Sequence, residues 1–178
     1  LTFGSSELTA LEAYLKDLER IGVDAIIVQD LAVAKLAQRV APKLHLHGST
    51  QMTAATLDAV HFYESLGFTR VVLARELSLP EIEHICKNCT AEIEVFVHGA
   101  LCVCYSGQCL MSSFIGGRSG NRGACAQPCR LPYELLDSSG TSLLPKHEAY
   151  LLSPKDLNYS EHMNELLAAG VTSFKVEG

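Results

Sequence analysis

Long apolar runs are missing from this sequence. Stretches such as 25–28 and 71–74 are only a few residues long, far short of the roughly 20 that a membrane-spanning helix needs, so no membrane partner is expected. No basic segment followed by an apolar one opens the chain, so no secretion signal is read. The first residue is Leu1, and Gly178 directly follows an apparent strand. Both ends read as cut, and a longer parent chain is expected. A basic surplus is missing too. The net charge is −6, which argues against a general nucleic-acid-coating protein. Acidic residues are in turn absent from Val95 to Tyr133, where Arg118, Arg122 and Arg130 stand. That segment is an electropositive stretch of an acidic chain, suited to thiolates, a metal cluster or a bound anion.

Two hydrolase signatures are also absent. There is no H-E-x-x-H, and the run GRSGN around Ser119 breaks G-x-S-x-G at its last position. A metal-bound water or an activated serine of either familiar kind is therefore not announced.

What is present is a globular composition, 48% hydrophobic and 19% charged over 178 residues, enough for one domain with a sizeable core. Helical and strand patterns alternate. SSELTALEAYLKDLERIG carries Leu8, Leu11, Leu15 and Leu18 at spacings of three and four, with Ser5 or Ser6 as cap and Gly22 as stop. Strands follow at 23–30, 44–51, 69–76 and 91–100, with helices between them. This is the pattern of buried parallel strands joined by right-handed crossovers. The expected fold is α/β, a parallel TIM-barrel-like (β/α) arrangement that is incomplete. Residues 1–100 would supply consecutive αβ units, 101–132 a Cys- and Gly-rich loop inserted after the fourth strand, and 133–178 the barrel's continuation within the same domain. In that continuation 133–143 reads as strand and turn, 149–157 as a strand and 171–178 as another, with a helix at 158–170. Open strand edges lead to an expectation of self-association. Polar residues gather at the strand ends: Gln51, Arg75, His98, Lys155 and Lys175. In parallel α/β folds, sites form there.

Five of the seven cysteines lie between 102 and 129. An odd count without an export signal argues for reduced thiols or metal ligation, and for a cytoplasmic location, rather than a disulfide framework. Cys102 and Cys109 are spaced C-x₆-C, and Cys125 and Cys129 C-x₃-C. Zinc ribbons use paired C-x₂-C knuckles, so the spacing leans toward an iron–sulfur centre. Buried free thiols are the bland alternative. Cys104 reads as a spare. Cys86 and Cys89 close a helix instead of opening one, the wrong place for a thioredoxin-like pair. His98, at a strand end just before the loop, is a candidate general acid/base. Arg75, Arg118, Arg122, Lys155 and Lys175 are candidates to grip a dicarboxylate or phosphate. Gln51 is a candidate to read a base edge or carbonyl. His45 and His47 share one strand face, and a metal role there would need a carboxylate.

EVFVHGALCVCYSGQCLMSS (94–113) and GRSGNRGACAQPCRLPYEL (117–135), with IIVQD, STQMT, VVLARELS, LLSPKDL and SFKVEG around them, resemble the peptidase U32 family over nearly the whole chain. The family carries the label collagenase-like protease. The resemblance also implies oxygen-independent hydroxylation of RNA, at a tRNA wobble uridine or an rRNA cytidine, with a [4Fe–4S] cluster and prephenate as co-substrate. It implies Cys102, Cys109, Cys125 and Cys129 as cluster ligands. A peptidase using Cys102 as nucleophile with His98 competes for the same sulfur, and a non-catalytic binding module with a structural cluster is the third reading.

Overall fold

The computed structural model describes residues 2–144 and 149–177. Four αβ units open the chain: α1 (Ser5–Arg20), β1 (Ala25–Val28), α2 (Leu31–Val40), β2 (His45–Gly48), α3 (Leu57–Ser65), β3 (Phe68–Val72), α4 (Leu79–Asn88) and β4 (Glu92–Gly99). Local chemistry sets their ends. Gly4 precedes α1 and donates its N–H to Glu7 at 2.6 Å, so the cap lies just ahead of the serines expected for it. Asp30 caps α2 by accepting from Ala32 N at 2.8 Å. Ser78 and Glu81 bond reciprocally at the start of α4, with Pro80 in its first turn.

The sheet runs β1-β2-β3-β4 in parallel. After the cysteine-rich stretch come β5 (Leu157–Asn158), α6 (Met163–Ala169) and β6 (Ser173–Val176). Both strands pair with β4, β6 in parallel and β5 antiparallel. The result is a parallel-dominated α/β sheet that is open, not a closed barrel. Among the described residues no helix is long and apolar enough to cross a membrane.

Two segments differ from the sequence expectation. Residues 133–143 form no strand, only an isolated Leu136–Ser142 bridge around a turn in which Asp137 accepts from Ser139 and Thr141. Residues 149–156 form none either. Their apolar run suggested one, but Ser153 N turns back to Tyr150 O, Leu151 and Leu152 stay exposed, and only 157–158 reach β4. The stretch expected to be structureless holds a short helix, α5 (Met111–Gly116).

Alternation along the strands divides the sheet's two faces. Val71, Leu73, Ile93, Val95 and Val97 pack with Ile82, Ile85 and Leu166 of the covering helices. Each fully buried aliphatic side chain of this kind contributes about 1.5–3 kcal/mol. A second cluster joins Leu15, Val28, Leu36, Leu46 and Phe68. The opposite face carries Arg70, Glu94, Phe96, Ser173 and Lys175. Glu94 is buried and accepts from Ser173 Oγ at 2.9 Å, Lys175 Nζ at 3.2 Å and Arg70 Nη1 at 3.4 Å. Burial alone would raise its pKa, but these bonds and the two cations outweigh that and hold it below the usual carboxylate range.

A carboxyl depressed in the folded state stabilises the protein above its unfolded pKa, and that contribution is lost as pH falls through the folded value. Glu94→Ala is therefore expected to cost about 1–3 kcal/mol at pH 7, by leaving Lys175 without its carboxylate and Ser173 without its acceptor, while Arg70 keeps Glu92 at 2.6 Å. The deficit should shrink below about pH 4. Urea unfolding at both pH values measures it, and a pH-independent difference would contradict the network's role.

Candidate functional site

The loop after β4 folds over the carboxyl ends of the strands because a few side chains pin it there. Ser106 is buried. Its N–H donates to Glu76 at 2.7 Å, its carbonyl accepts from Thr53 Oγ1 at 2.7 Å, and its Oγ accepts from Arg75 N at 3.3 Å. Buried Ser112 accepts from Ala126 N at 2.9 Å. Gly107 (φ +77°) lies so close to Gln51 that an added Cβ would strike the Gln51 carbonyl oxygen, and Gly99 (φ +133°) lies as close to Glu177.

Beneath the loop is a cavity of about 360 Å³. Cys102, Cys109, Cys125 and Cys129 all line it, although Cys109 and Cys125 come from opposite sides of α5 in sequence. Arg75, Arg130 and Lys175 line the same cavity, and among the described residues Glu177 is its one carboxylate. Glu177 is engaged, accepting from Arg75 Nη2 at 3.1 Å. The Arg75 guanidinium lies 4.2 Å over the Phe96 ring, with Lys175 Nζ at 5.7 Å from the same ring. Two polar atoms of wall residues, Arg75 Nε and Gln51 Oε1, are buried without a partner. Unpaired groups of this kind are what a missing ligand or water would satisfy.

Solvent reaches Cys102 through the open cavity, yet desolvation by the surrounding protein pushes its thiol pKa up. Arg75 opposes this, and the sulfurs of Cys109, Cys129 and Cys125 add to it. Cys104 is also pushed up, first by its hydrogen bond with Cys109 and then by burial. Cys104 therefore stands beside the group instead of apart from it. Cys86 and Cys89 pack against the helix-side core, and burial, then Cys89, pushes Cys86 up to about 11. A thiol held that high is inert near neutral pH.

The donor set, four soft thiols lining one cavity together with Arg75, Arg130 and Lys175, fits an iron–sulfur group. Among the described residues no three His, Cys, Asp or Glu side chains stand close enough together to hold a metal ion as they are, so a group bound there would have to draw the sulfurs inward. His47 faces Arg70, whose charge adds to burial in pushing the imidazole pKa down, and His45 is exposed.

Of the residues singled out from sequence, Arg75, Gln51, Lys175 and the four cysteines line the cavity. His98, Lys155, Arg118 and Arg122 do not. His98 is exposed, beyond a register shift after Phe96 and next to the positive-φ Gly99. Lys155 sits in the segment that forms no strand and is exposed. Arg118 donates to Ala124 O at 3.0 Å, and Arg122 is paired with Glu7 at 2.7 Å. Sequence reasoning did not select Arg130, Phe96 or Glu177. For Arg130 a signal existed: it directly follows Cys129 in the acid-free stretch.

Gly107→Ala is expected to force the loop away from Gln51, adding roughly 1–2 kcal/mol of left-handed backbone strain to the collision. Trypsin should then cut faster at Arg118 and Arg122 while the melting temperature falls by only a few degrees. Mass analysis of the digest reads this, and an unaltered cleavage rate would contradict the pinning.

The sequence profile of Peptidase family U32 matches residues 1–178. The 23S rRNA 5-hydroxycytidine C2501 synthase of Escherichia coli (strain K12) is 46% identical over 172 residues, covering 97% of this chain and 26% of that protein. The tRNA hydroxylation protein P1 of Bacillus subtilis (strain 168) is 39% identical, covering 98% of this chain and 42% of that protein. A protein named collagenase from Porphyromonas gingivalis is 34% identical, covering 97% of this chain and 44% of that protein. The chain thus spans between a quarter and a half of the length of these relatives. With a match over every residue and relatives this similar, the chain belongs to peptidase family U32.

Proposed function

We propose that this chain is the cofactor-bearing part of an iron–sulfur-dependent enzyme that hydroxylates a pyrimidine of RNA without molecular oxygen. Cys102, Cys109, Cys125 and Cys129 would hold a [4Fe–4S] cluster. The observation that carries the reading is the meeting of four thiols with Arg75, Arg130 and Lys175 around one cavity. Relatives named for rRNA and tRNA hydroxylation support it. When bound, a cluster supplies one-electron chemistry, and three protein thiolates instead of four would leave one iron an open position. Arg75 and Lys175 suit the carboxylates of a small dicarboxylate co-substrate such as prephenate. Phe96, Val72 and Ile27 make the wall apolar between these charges.

An RNA substrate needs phosphate neutralisation and a place for an unstacked base. The acidic net charge is local: no Asp or Glu lies between Val95 and Tyr133. Arg118 has no acidic partner among the described residues. Tyr105 is 66% exposed at the cavity, and Phe114 is 85% exposed on the outer side of α5, both free to stack a base. Reduced thiols suit the cytoplasm, where we place the reaction.

The collagenase-named relative favours a second reading, proteolysis. It needs a thiolate activated by a neighbouring base. The Cys102 pKa is raised instead, and His98 lies off the cavity.

The test returns the gene for the full-length protein to cells lacking it, with nucleoside mass spectrometry of tRNA and rRNA. A pyrimidine one oxygen heavier is expected with the wild type. The modification level should drop at least 100-fold in Cys102→Ser, and several-fold in Phe114→Ala. Gelatin hydrolysis that survives Cys102→Ser, with no oxidised nucleoside in any RNA, would overturn the reading.

A further inference from the structure

One guanidinium closes the cysteine loop at its base. Arg130 is adjacent to Cys129, and its Nη2 donates to Leu101 O at 3.0 Å, the residue before Cys102. Its Nη1 donates to Ser153 Oγ at 2.7 Å and to Pro154 O, and Nη2 also reaches Asp156 Oδ1 at 3.3 Å. The side chain is 23% exposed and lines the cavity. Arg130 thus joins the first and last of the four thiol-bearing positions to each other and to the segment that leads into β5.

We propose that Arg130 is a positioning residue for the cluster, a latch that presents Cys102 and Cys129 at the separation a cluster requires. The inference rests on the iron–sulfur reading. Bringing the ends of a long loop together costs entropy whether or not a ligand is present. A latch already made in the protein moves that cost out of cluster binding. The planar fork is what allows it: one side chain serves two carbonyls and a hydroxyl in fixed directions, which a lysine ammonium cannot reproduce. The pair with Asp156 matters less, because that carboxylate is 66% exposed.

Charge and geometry separate experimentally. The full-length holoprotein, prepared anaerobically, is compared with Arg130→Lys, Arg130→Ala and Asp156→Asn for iron loss to a chelator and for cluster reduction potential. Both Arg130 variants are expected to bind the cluster 10–100-fold more weakly, the usual size of an outer-shell effect. Asp156→Asn is expected to retain iron like the wild type. Arg130→Lys keeps the cation, so its potential should stay near the wild-type value. Arg130→Ala removes a charge that favours the reduced cluster, so its potential should fall. Iron retention by Arg130→Lys equal to the wild type would overturn the latch, as would a loss in Asp156→Asn equal to that in Arg130→Lys. If Arg130→Ala does not fold, the other two variants still decide. A wild-type protein that takes up no iron and sulfide would instead overturn the iron–sulfur reading itself, and the latch with it.

Discussion

The site depends on holding a long, Gly- and Ser-rich loop in one conformation without a hydrophobic repeat to do it. Fixing a residue's backbone costs roughly 1–2 kcal/mol, and the cysteine loop buries few apolar side chains in return. Its order comes from pins at its two ends and middle: Ser106 against Glu76 and Thr53, Ser112 against Ala126, Arg122 against Glu7, and Arg130 against Leu101 and Ser153. Most of the partners lie where a strand or helix of the rigid sheet ends. A group tying four sulfurs together would supply the remaining order, since binding free energy at such sites is also folding free energy.

That division explains which features were legible in the sequence. Strands β1 to β4 carry apolar residues on both faces or in strict alternation, and their helices carry a three-and-four repeat, so pattern alone located them. Residues 149–156 carried an apolar run of the same kind, but their backbone turned on itself, Ser153 N donating to Tyr150 O. The four cysteines were legible by clustering, and Arg75, Gln51 and Lys175 by standing at strand ends. His98 had the same credentials. A register shift and a positive-φ glycine left it exposed and off the cavity, and one-dimensional spacing carries no trace of either. Arg122 was a plausible ligand for an anion in the cavity until its pair with Glu7 claimed it, and Arg118, bonded to Ala124 O, stands off the cavity on the loop's exposed side. Phe96 looked like any strand aromatic, and only the fold brings Arg75 and Lys175 over its ring.

Hydroxylation and proteolysis make opposite demands on the same sulfur. A nucleophile needs a lowered pKa, a base beside it and no metal. A cluster ligand needs other thiols nearby and a wall that can desolvate it. Cys102 has three other thiols, a cation and burial around it, the surroundings of a ligand. For the proposed RNA substrate, the acid-free loop matters more than the acidic total, because net charge is a property of the whole surface while phosphate contact is made locally.

In the proposed function four sulfurs share one inorganic centre. Iron and acid-labile sulfide analysis of anaerobically purified protein, paired with mass-spectrometric counting of alkylated cysteines, tests it most directly. Iron and sulfide are expected in equal amounts, with Cys102, Cys109, Cys125 and Cys129 protected until the cluster is stripped. Stoichiometric zinc without sulfide, or alkylation of those four thiols at the same rate before and after stripping, would contradict it.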